Sequence, residues 1–195
     1  MSTYYILNKP FGYLSQFTKE GRYRGLSDLN LFPPNVYAVG RLDADSEGLL
    51  ILTDDKALNQ LLLKPENEHE RTYWAQVEGT ADDFACNEME RGVLINVSGG
   101  YYKTKPCKAR LISSPKLPER QIPIRFRKSV PTSWIEIKLT EGKNRQVRKM
   151  TAAVGYPTLR LIRVAIENLE LGKLPEGEMK EVNKDEIYKL LNLSS

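Results

Sequence analysis

Residues 40–50, Gly-Arg-Leu-Asp-Ala-Asp-Ser-Glu-Gly-Leu-Leu, concentrate the side chains of this chain that are best suited to chemistry. Apolar runs on both sides predict two short buried strands joined by a charged turn. Charged groups are seldom buried unless they are paired, so a turn with one arginine and three acids is either solvated or functional. We select Asp43 as the candidate catalytic carboxylate, because Gly40 and Gly48 permit backbone angles that would hold it in a fixed position.

Four motifs in chain order resemble those of the pseudouridine synthases. They are Leu-Asn-Lys-Pro at 7–10, the stretch at 40–50, Arg-Thr-Tyr-Trp-Ala-Gln-Val at 71–77, and Glu-Gly-Lys-Asn-Arg-Gln-Val-Arg-Lys-Met at 141–150, continued by Leu-Ile-Arg at 161–163. A single Gly-Arg-Leu-Asp would be weak support, whereas four motifs in the same order are strong support. The resemblance extends over nearly the whole chain. The chain is thus similar to the branch, the RsuA family, that modifies single uridines in ribosomal RNA, and most similar to its large-subunit members.

The resemblance implies an isomerisation in which the N1–C1′ bond of uridine breaks and C5 bonds to C1′, with no cofactor and no metal. It assigns the essential acid to Asp43, and an ionised carboxylate can serve as a nucleophile or as a base. Attack on the sugar, addition to the uracil ring and proton removal from the sugar all remain open. A nearby cation favours the charged form of a carboxylate. The resemblance gives that role to Arg148, with Arg145 and Lys149 as competitors.

Further candidates surround these residues. The resemblance implies that Tyr73 stacks on the target base, although a tyrosine in a strand can equally pack in the core. Leu161 is expected to line the uracil pocket, with an ordinary core leucine as the alternative. Arg41 could hold a phosphate or the loop, and Lys9 is expected to order the opening turn rather than react. The candidate substrate-binding set is Lys9, Arg41, Arg145, Leu161 and Arg163.

The composition narrows the class of protein. The chain has 195 residues, of which 41% are hydrophobic, enough for a sizeable core. The first residues lack a secretory pattern and no apolar run approaches the ~20 residues of a membrane span, which predicts a soluble cytoplasmic protein. Cys86 and Cys107 have no paired ligand spacing, so we expect reduced thiols and no zinc site. His69, among glutamates, is expected to be a solvated loop residue.

The charge is distributed unevenly. The formal net charge is only +4, but residues 103–128 contain nine Lys or Arg residues and one acid, and residues 141–163 contain six and one. The aromatic residues in or near these stretches are Tyr101, Tyr102, Phe126 and Trp134. Two basic stretches in one half of the chain predict an RNA-binding face, with ordinary solvated surface as the alternative.

Local patterns predict the elements that position these residues. Strands are expected at 4–7, 36–39, 49–53, 73–77, 108–112, 134–139 and 159–166. Helices are expected after Asp54 or Asp55, from Thr80 with Asp83 as a capping box to Arg91, at 144–154, and after Asn183. Residues 113–123, rich in proline, are expected to form a loop.

These elements predict an α+β fold with a mixed or antiparallel sheet. The resemblance implies a single catalytic domain over residues 1–195, with two sheet-containing halves that border a central cleft. Because the opening motif lies at 7–10, we expect no separate amino-terminal RNA-binding domain. The expected partner is ribosomal RNA, with no membrane, and the protein is expected to be a monomer.

Two other functions compete with this interpretation. A carboxylate-dependent nucleosidase would release uracil, whereas a metal-dependent nuclease is disfavoured by the lack of clustered metal ligands in the sequence. A non-catalytic RNA-binding or ribosome-assembly protein would bind RNA without isomerising it. Intact motifs around Asp43, Tyr73 and Arg148 argue against the non-catalytic class.

Overall fold

A computed structural model describes residues 2–29, 32–120, 122–124, 127 and 129–194. These residues divide into two compact units: unit 1 is Met1–His69 with Ile162–Ser195, and unit 2 is Glu70–Leu161. Arg125, Phe126 and Lys128 of the first basic stretch lie outside the described residues.

The described residues form strands and helices in an α+β arrangement. The strands are β1 (Tyr4–Lys9), β2 (Tyr37–Val39), β3 (Glu47–Thr53), β4 (Arg71–Glu78), β5 (Leu94–Val97), β6 (Gly100–Lys103), β7 (Lys108–Ile112), β8 (Thr132–Leu139), β9 (Thr158–Ile166), β10 (Leu169–Glu170) and β11 (Met179–Val182). The α-helices are α1 (Lys56–Leu63), α2 (Asp83–Glu90), α3 (Gln146–Ala153) and α4 (Lys184–Leu190), and two short 3-10 helices cover Leu26–Leu29 and Pro65–Asn67.

Unit 1 is built on a mixed sheet. Strand β1 lies between β11 and β3 and is antiparallel to both, whereas the carboxyl half of β9 runs parallel to β3. All seven residues of β3 are buried, because successive side chains enter two different cores. Leu49 and Ile51 join the cluster that contains Ile187 of α4, and Leu50 and Leu52 pack with other apolar residues on the opposite face.

Asp55 ties three elements of unit 1 together. Its carboxylate caps α1 by accepting hydrogen bonds from Ala57 N at 2.9 Å and Leu58 N at 3.3 Å. It also accepts hydrogen bonds from the hydroxyls of Tyr4 on β1, at 2.7 Å, and Tyr188 on α4, at 2.8 Å. The predicted cap at Asp54 or Asp55 is therefore confirmed for Asp55. Its other two hydrogen bonds connect α1 to β1 and to α4.

Unit 2 contains the antiparallel strands β4, β8 and β7, in that order. Their inward side chains, among them Ala75, Val77 and Ile137, pack with buried residues of α2 and α3 in one core cluster. Strands β5 and β6 form a separate two-stranded hairpin, and α3 packs against β5. The core of this unit thus supports both the hairpin and α3.

The predicted elements are largely confirmed, with two local corrections. Helix α2 is capped by Asp82, which accepts a hydrogen bond from Ala85 N at 2.9 Å, and not by Thr80. Helix α3 begins at Gln146, two positions after the predicted start, because Arg145 adopts a left-handed conformation with φ 54°. Strands β5, β6, β10 and β11 were not predicted.

The prediction that His69 is solvated is wrong. Its side chain is buried, and its Nδ1 lies 3.0 Å from a carboxylate oxygen of Glu167. The prediction used only the glutamates next to His69 in the sequence. The residue that pairs with His69, Glu167, is distant along the chain. Both cysteines are free thiols, as expected. Burial raises the pKa of Cys86 to about 11 and that of Cys107 to about 12, so neither thiol is activated.

Candidate functional site

Residues 40–48, here called the acidic loop, are held in place by hydrogen bonds to their backbone. Ser15 accepts a hydrogen bond from Leu42 N at 2.8 Å and donates one to Leu42 O at 2.9 Å, and the Leu42 side chain is buried. Ser46 N donates to Asp43 O at 3.0 Å, which closes the turn. Asp43 is therefore half-buried on a loop whose backbone is held on both sides of it.

Lys9 orders the turn that supports this loop. Its side chain is completely buried, and its Nζ donates to Pro10 O at 2.9 Å and to Tyr13 O at 2.6 Å. Within the same turn, Gly12 N donates to Ala44 O at 2.7 Å. The ammonium group thus holds the turn, and the turn holds the acidic loop, as expected from the opening motif.

The charges around Lys9 define a cluster in unit 1. Burial lowers the pKa of Lys9 from 10.5 to about 7, because it penalises the charged form. The carboxylates of Glu47, Asp45 and Asp43 oppose this shift, and Arg163 adds to it. The acidic loop therefore lies near two buried basic side chains, those of Lys9 and Arg163.

A close approach of two strands explains why position 48 is glycine. Gly48 is in register with Arg163 on one side and with Lys9 on the other. It has φ 104°, and a Cβ there would lie 2.3 Å from the carbonyl oxygen of Arg163. The buried Arg163 side chain turns back to donate from Nε to Leu49 O at 2.8 Å. Only glycine fits this junction of three strands.

Arg41 differs from the other charged residues near the loop. It is exposed, whereas Leu42, the next residue, is buried. An exposed guanidinium at the edge of a braced loop is suited to a phosphate group. Arg41 therefore remains a candidate phosphate ligand.

Tyr73 and Leu161 lie in unit 2 around the same core cluster. Leu161 is buried, and Tyr73 is half-buried on the face of β4 that also carries Ala75 and Val77. Tyr73 thus packs against the core and keeps part of its ring accessible. This position suits both a core role and base stacking, so the stacking role stays a prediction.

Glu141 anchors residues 141–145, here called the basic turn. One of its carboxylate oxygens accepts a hydrogen bond from the Tyr102 hydroxyl at 2.6 Å. The other accepts from Lys105 N at 2.8 Å and from Gln146 Nε2 at 2.7 Å. The bond to Glu141 is also the main reason why the pKa of Tyr102 is raised. One carboxylate therefore connects the basic turn, α3 and the end of the hairpin.

Gln146 completes the basic turn. Its side-chain oxygen accepts a hydrogen bond from Lys143 N at 2.9 Å, and its own N donates to Lys143 O at 3.0 Å. These bonds stabilise the left-handed conformation of Arg145, which is exposed at the start of α3. Sequence reasoning missed Glu141 and Gln146, although both lie within the basic motif.

Arg148 projects from α3, whose other face is buried through Val147 and Met150. Arg148 is half-buried, and its guanidinium donates from Nη1 to Thr158 O at 3.2 Å. Arg148 lies in unit 2 and Asp43 in unit 1. Their pairing therefore stays a prediction.

Part of the first basic stretch is paired with acids in or next to strands β4 and β8. Lys108 lies 3.5 Å from Glu70, Arg110 lies 2.8 Å from Glu136, and Arg127 lies 3.6 Å from Glu78. A count of charges along the sequence does not reveal these ion pairs, because each acid lies far from its basic partner in the chain. Because all three basic side chains are well exposed, the pairs are weak and a phosphate could compete for them.

The part of the chain that the structure describes shows no group of three or more His, Cys, Asp or Glu residues placed to hold a metal ion. Within the same residues, no helix is long and apolar enough to cross a membrane.

Comparison with known proteins identifies the family. A family model described as RNA pseudouridylate synthase matches residues 3–153. Ribosomal large subunit pseudouridine synthase E of Xanthomonas axonopodis pv. citri is 49% identical over 172 residues, which cover 87% of this chain and 88% of that relative. The protein of the same name from Xanthomonas campestris pv. campestris is 48% identical over 178 residues, which cover 90% and 92%.

A solved structure agrees with this match. The crystal structure of a pseudouridylate synthase superposes with a TM-score of 0.75 at 27% identity, covering 97% of this chain and 74% of that one. The predicted α+β fold of the pseudouridine synthases is thereby confirmed. With the family model and close relatives in agreement, this chain belongs to the RNA pseudouridylate synthase family.

Proposed function

We propose that this enzyme converts a uridine of large-subunit ribosomal RNA to pseudouridine, with Asp43 as the essential carboxylate and without a cofactor. The observation that carries the proposal is the match to relatives of that name over most of both chains. The braced acidic loop supports the choice of Asp43, because a catalytic group must be held in a fixed geometry. We also propose that the enzyme acts as a monomer.

The chemistry balances without a co-reactant. The N1–C1′ bond breaks, the base turns, C5 bonds to C1′, and a proton leaves C5 while N1 gains one. Asp43 supplies a carboxylate that acts as a nucleophile or as a base, and it must be ionised for either role. Arg148 is the proposed cation that favours the ionised form.

The target uridine must leave its stack before it can react. A duplex hides C5 and C1′, and unstacking one nucleotide costs a few kcal/mol. Tyr73 would offset part of that cost by stacking on the base, and Leu161 would form an apolar wall of the pocket. Arg41 and Arg145, both exposed, would bind phosphates of the RNA.

Lys9 and Arg163 are proposed to act through the loop rather than by touching the substrate. Both side chains are buried, and their polar atoms contact backbone carbonyl groups of the turn and of β3. Their expected role is to keep Asp43 in position, which is a narrower role than the substrate binding inferred from sequence.

The test is to map pseudouridine in large-subunit ribosomal RNA before and after incubation with the purified protein. The protein is first dialysed against a chelator, and both free RNA and large subunits that lack the modification serve as substrates. We expect one new pseudouridine with the wild type, and none within the same incubation time with Asp43→Asn. A strict requirement for an added metal in the chemical step would contradict the cofactor-free proposal.

The same samples discriminate the competing functions. Release of free uracil would indicate a nucleosidase. Tight RNA binding with no pseudouridine in any substrate would indicate a non-catalytic assembly protein. Sedimentation of the active sample would test the monomer.

A further inference from the structure

The hairpin of β5 and β6 presents two different faces. A two-residue connection, Ser98 and Gly99, joins the strands, which pair Leu94 with Lys103 and Asn96 with Tyr101. Because side chains alternate along a strand, these four residues share one face. The hairpin of unit 2 therefore has an outer face made from both strands.

The inner face of the hairpin is anchored. Ile95 is buried in the core of unit 2, and Tyr102 packs against the same core. The Tyr102 hydroxyl donates to Glu141 at 2.6 Å, and the ammonium of Lys143 lies 4.7 Å from the centre of its ring. With its inner face fixed in this way, the hairpin holds its outer face in a defined position.

The outer face combines an aromatic ring with positive charge. Tyr101 is 79% exposed and Leu94 is 60% exposed, and Asn96 and Lys103 are exposed as well. Lys103 forms no ion pair with any acid among the described residues. The sequence contains no Asp or Glu between Glu90 and Glu119. An anion that approaches this face meets no acidic residue of that segment.

These properties fit one chemical class of ligand. Single-stranded RNA is bound by aromatic rings that stack on unpaired bases, together with cations that contact the backbone. An exposed tyrosine offers the ring, and the neighbouring lysine offers the charge. The amide of Asn96, directly opposite Tyr101, can donate to and accept from the edge of a base.

We propose that the outer face of the hairpin binds an unpaired nucleotide of the substrate RNA, other than the uridine that is modified. Tyr101 stacks on the base, Lys103 contacts the phosphate, and Asn96 reaches the base edge. The proposal rests on the proposed function, because the ligand is part of the same RNA. It adds a second contact to that function, separate from the residues assigned to the chemistry.

The chain offers a matched control for this surface. Phe84 on α2 is 69% exposed and lies in the same unit. Its neighbours in sequence include Asp82, Asp83 and Glu88, so this exposed aromatic ring has an acidic setting. A loss of stacking area at Phe84 is therefore not expected to change RNA binding.

The experiment compares Tyr101→Ala, Tyr101→Phe, Lys103→Gln and Phe84→Ala in the full chain. Dissociation constants are measured with a short oligouridine and with an RNA duplex of equal length, over a range of salt concentrations. Thermal unfolding of each variant checks that the fold is intact. The wild type is tested for pseudouridine formation in the same preparation.

We expect Tyr101→Ala to raise the dissociation constant for oligouridine by about 5- to 150-fold, the equivalent of ~1–3 kcal/mol of stacking. The increase for the duplex should be smaller, and Tyr101→Phe and Phe84→Ala should resemble the wild type. Lys103→Gln should make the negative slope of log affinity against log salt less steep by about 0.7.

Equal dissociation constants for the wild type and Tyr101→Ala would overturn the inference, as would equal losses in Tyr101→Ala and Phe84→Ala. A wild type that binds RNA but forms no pseudouridine would instead overturn the proposed function. In that case the comparison of Tyr101 with Phe84 would still decide whether the hairpin binds unpaired RNA.

Discussion

The acidic loop and the basic turn are held by charged side chains of opposite sign. In unit 1 a cation, Lys9, donates to two backbone carbonyls of the turn beneath an acidic loop. In unit 2 an anion, Glu141, accepts bonds from Tyr102, Lys105 and Gln146 to hold a basic turn. Each anchor is opposite in sign to the segment that it supports.

The two anchors differ in burial. Lys9 has no exposed surface, whereas Glu141 is half-buried. Hydrogen bonds and charges count for more where water is excluded. The acidic loop therefore depends on a buried anchor that water cannot replace, whereas the basic turn retains partial access to solvent. Four changes test this difference.

Asp43→Asn should have the largest effect. The amide keeps the shape of the carboxylate and loses its charge, so the single-turnover rate should fall by about 10²- to 10⁴-fold, with RNA affinity near the wild-type value. Rapid-quench measurement of pseudouridine at saturating RNA would check this. A rate comparable to that of the wild type would show that the acidic loop is not catalytic.

Tyr73→Ala should have a smaller effect, and Tyr73→Phe the least. Loss of the ring removes ~1–3 kcal/mol of base stacking, or about 5- to 150-fold in activity, whereas phenylalanine keeps the ring. The comparison of kcat/KM for both variants measures the contribution of the ring. Equal losses would mean that the hydroxyl group carries the effect.

Glu141→Ala should lower kcat/KM by about tenfold, since hydrogen bonds to a charged group contribute ~1.5–3 kcal/mol and this carboxylate is only half-buried. Tyr102→Phe, which removes one of the three bonds, should lose less. If the loss comes from movement of the basic turn, kcat/KM should fall while the temperature of thermal unfolding changes little. An unchanged kcat/KM would mean that the turn keeps its shape without this anchor.

Lys9 should make a pH-dependent contribution to the stability of the fold. Burial lowers its pKa from 10.5 to about 7, so between these values the unfolded chain retains a proton that the folded chain has lost. Stability therefore rises with pH across this window, by at most ~1.4 kcal/mol per pH unit, and falls as the pH drops towards 7.

The measurement is urea unfolding of the wild type and of Lys9→Met between pH 7 and pH 10. Methionine loses the two hydrogen bonds at every pH, so the variant should be less stable, but it cannot titrate. The free energy of unfolding of the wild type, minus that of the variant, should increase with pH. A constant difference would show that Lys9 stays charged in the folded protein.

Local signals in the sequence were sufficient to predict structure where a segment forms that structure through its own neighbouring residues. Caps at Asp54 or Asp55 and at Asn183 were predicted from residue type and position, and Asp55 and Asn183 accept the expected backbone hydrogen bonds. The charged turn around Asp43, between two apolar runs, was predicted in the same way. The roles of Asp43, Tyr73 and Arg148 came from family resemblance and remain to be tested.

Features that need a distant partner could not be predicted. His69 is buried because Glu167 lies beside it, and Lys9 is buried because two carbonyls receive its ammonium group. Strand β11 exists through its pairing with β1, at the opposite end of the chain. The hairpin was missed although Gly99 and Gly100 mark its turn, because its outer face lacks the apolar pattern of a core strand.

The discontinuity of unit 1 has a consequence for synthesis. Residues of unit 2 are contiguous, so that unit can fold while the chain is still emerging from the ribosome. Strand β1 is made before unit 2, whereas its partner β11 and the covering helix α4 are made after unit 2. Before β11 and α4 are made, one edge of β1 is unpaired, and the Asp55 carboxylate lacks its hydrogen bond from the Tyr188 hydroxyl. The support of the acidic loop is therefore completed only after the whole of unit 2 has been made, since Arg163 also follows unit 2 in the sequence.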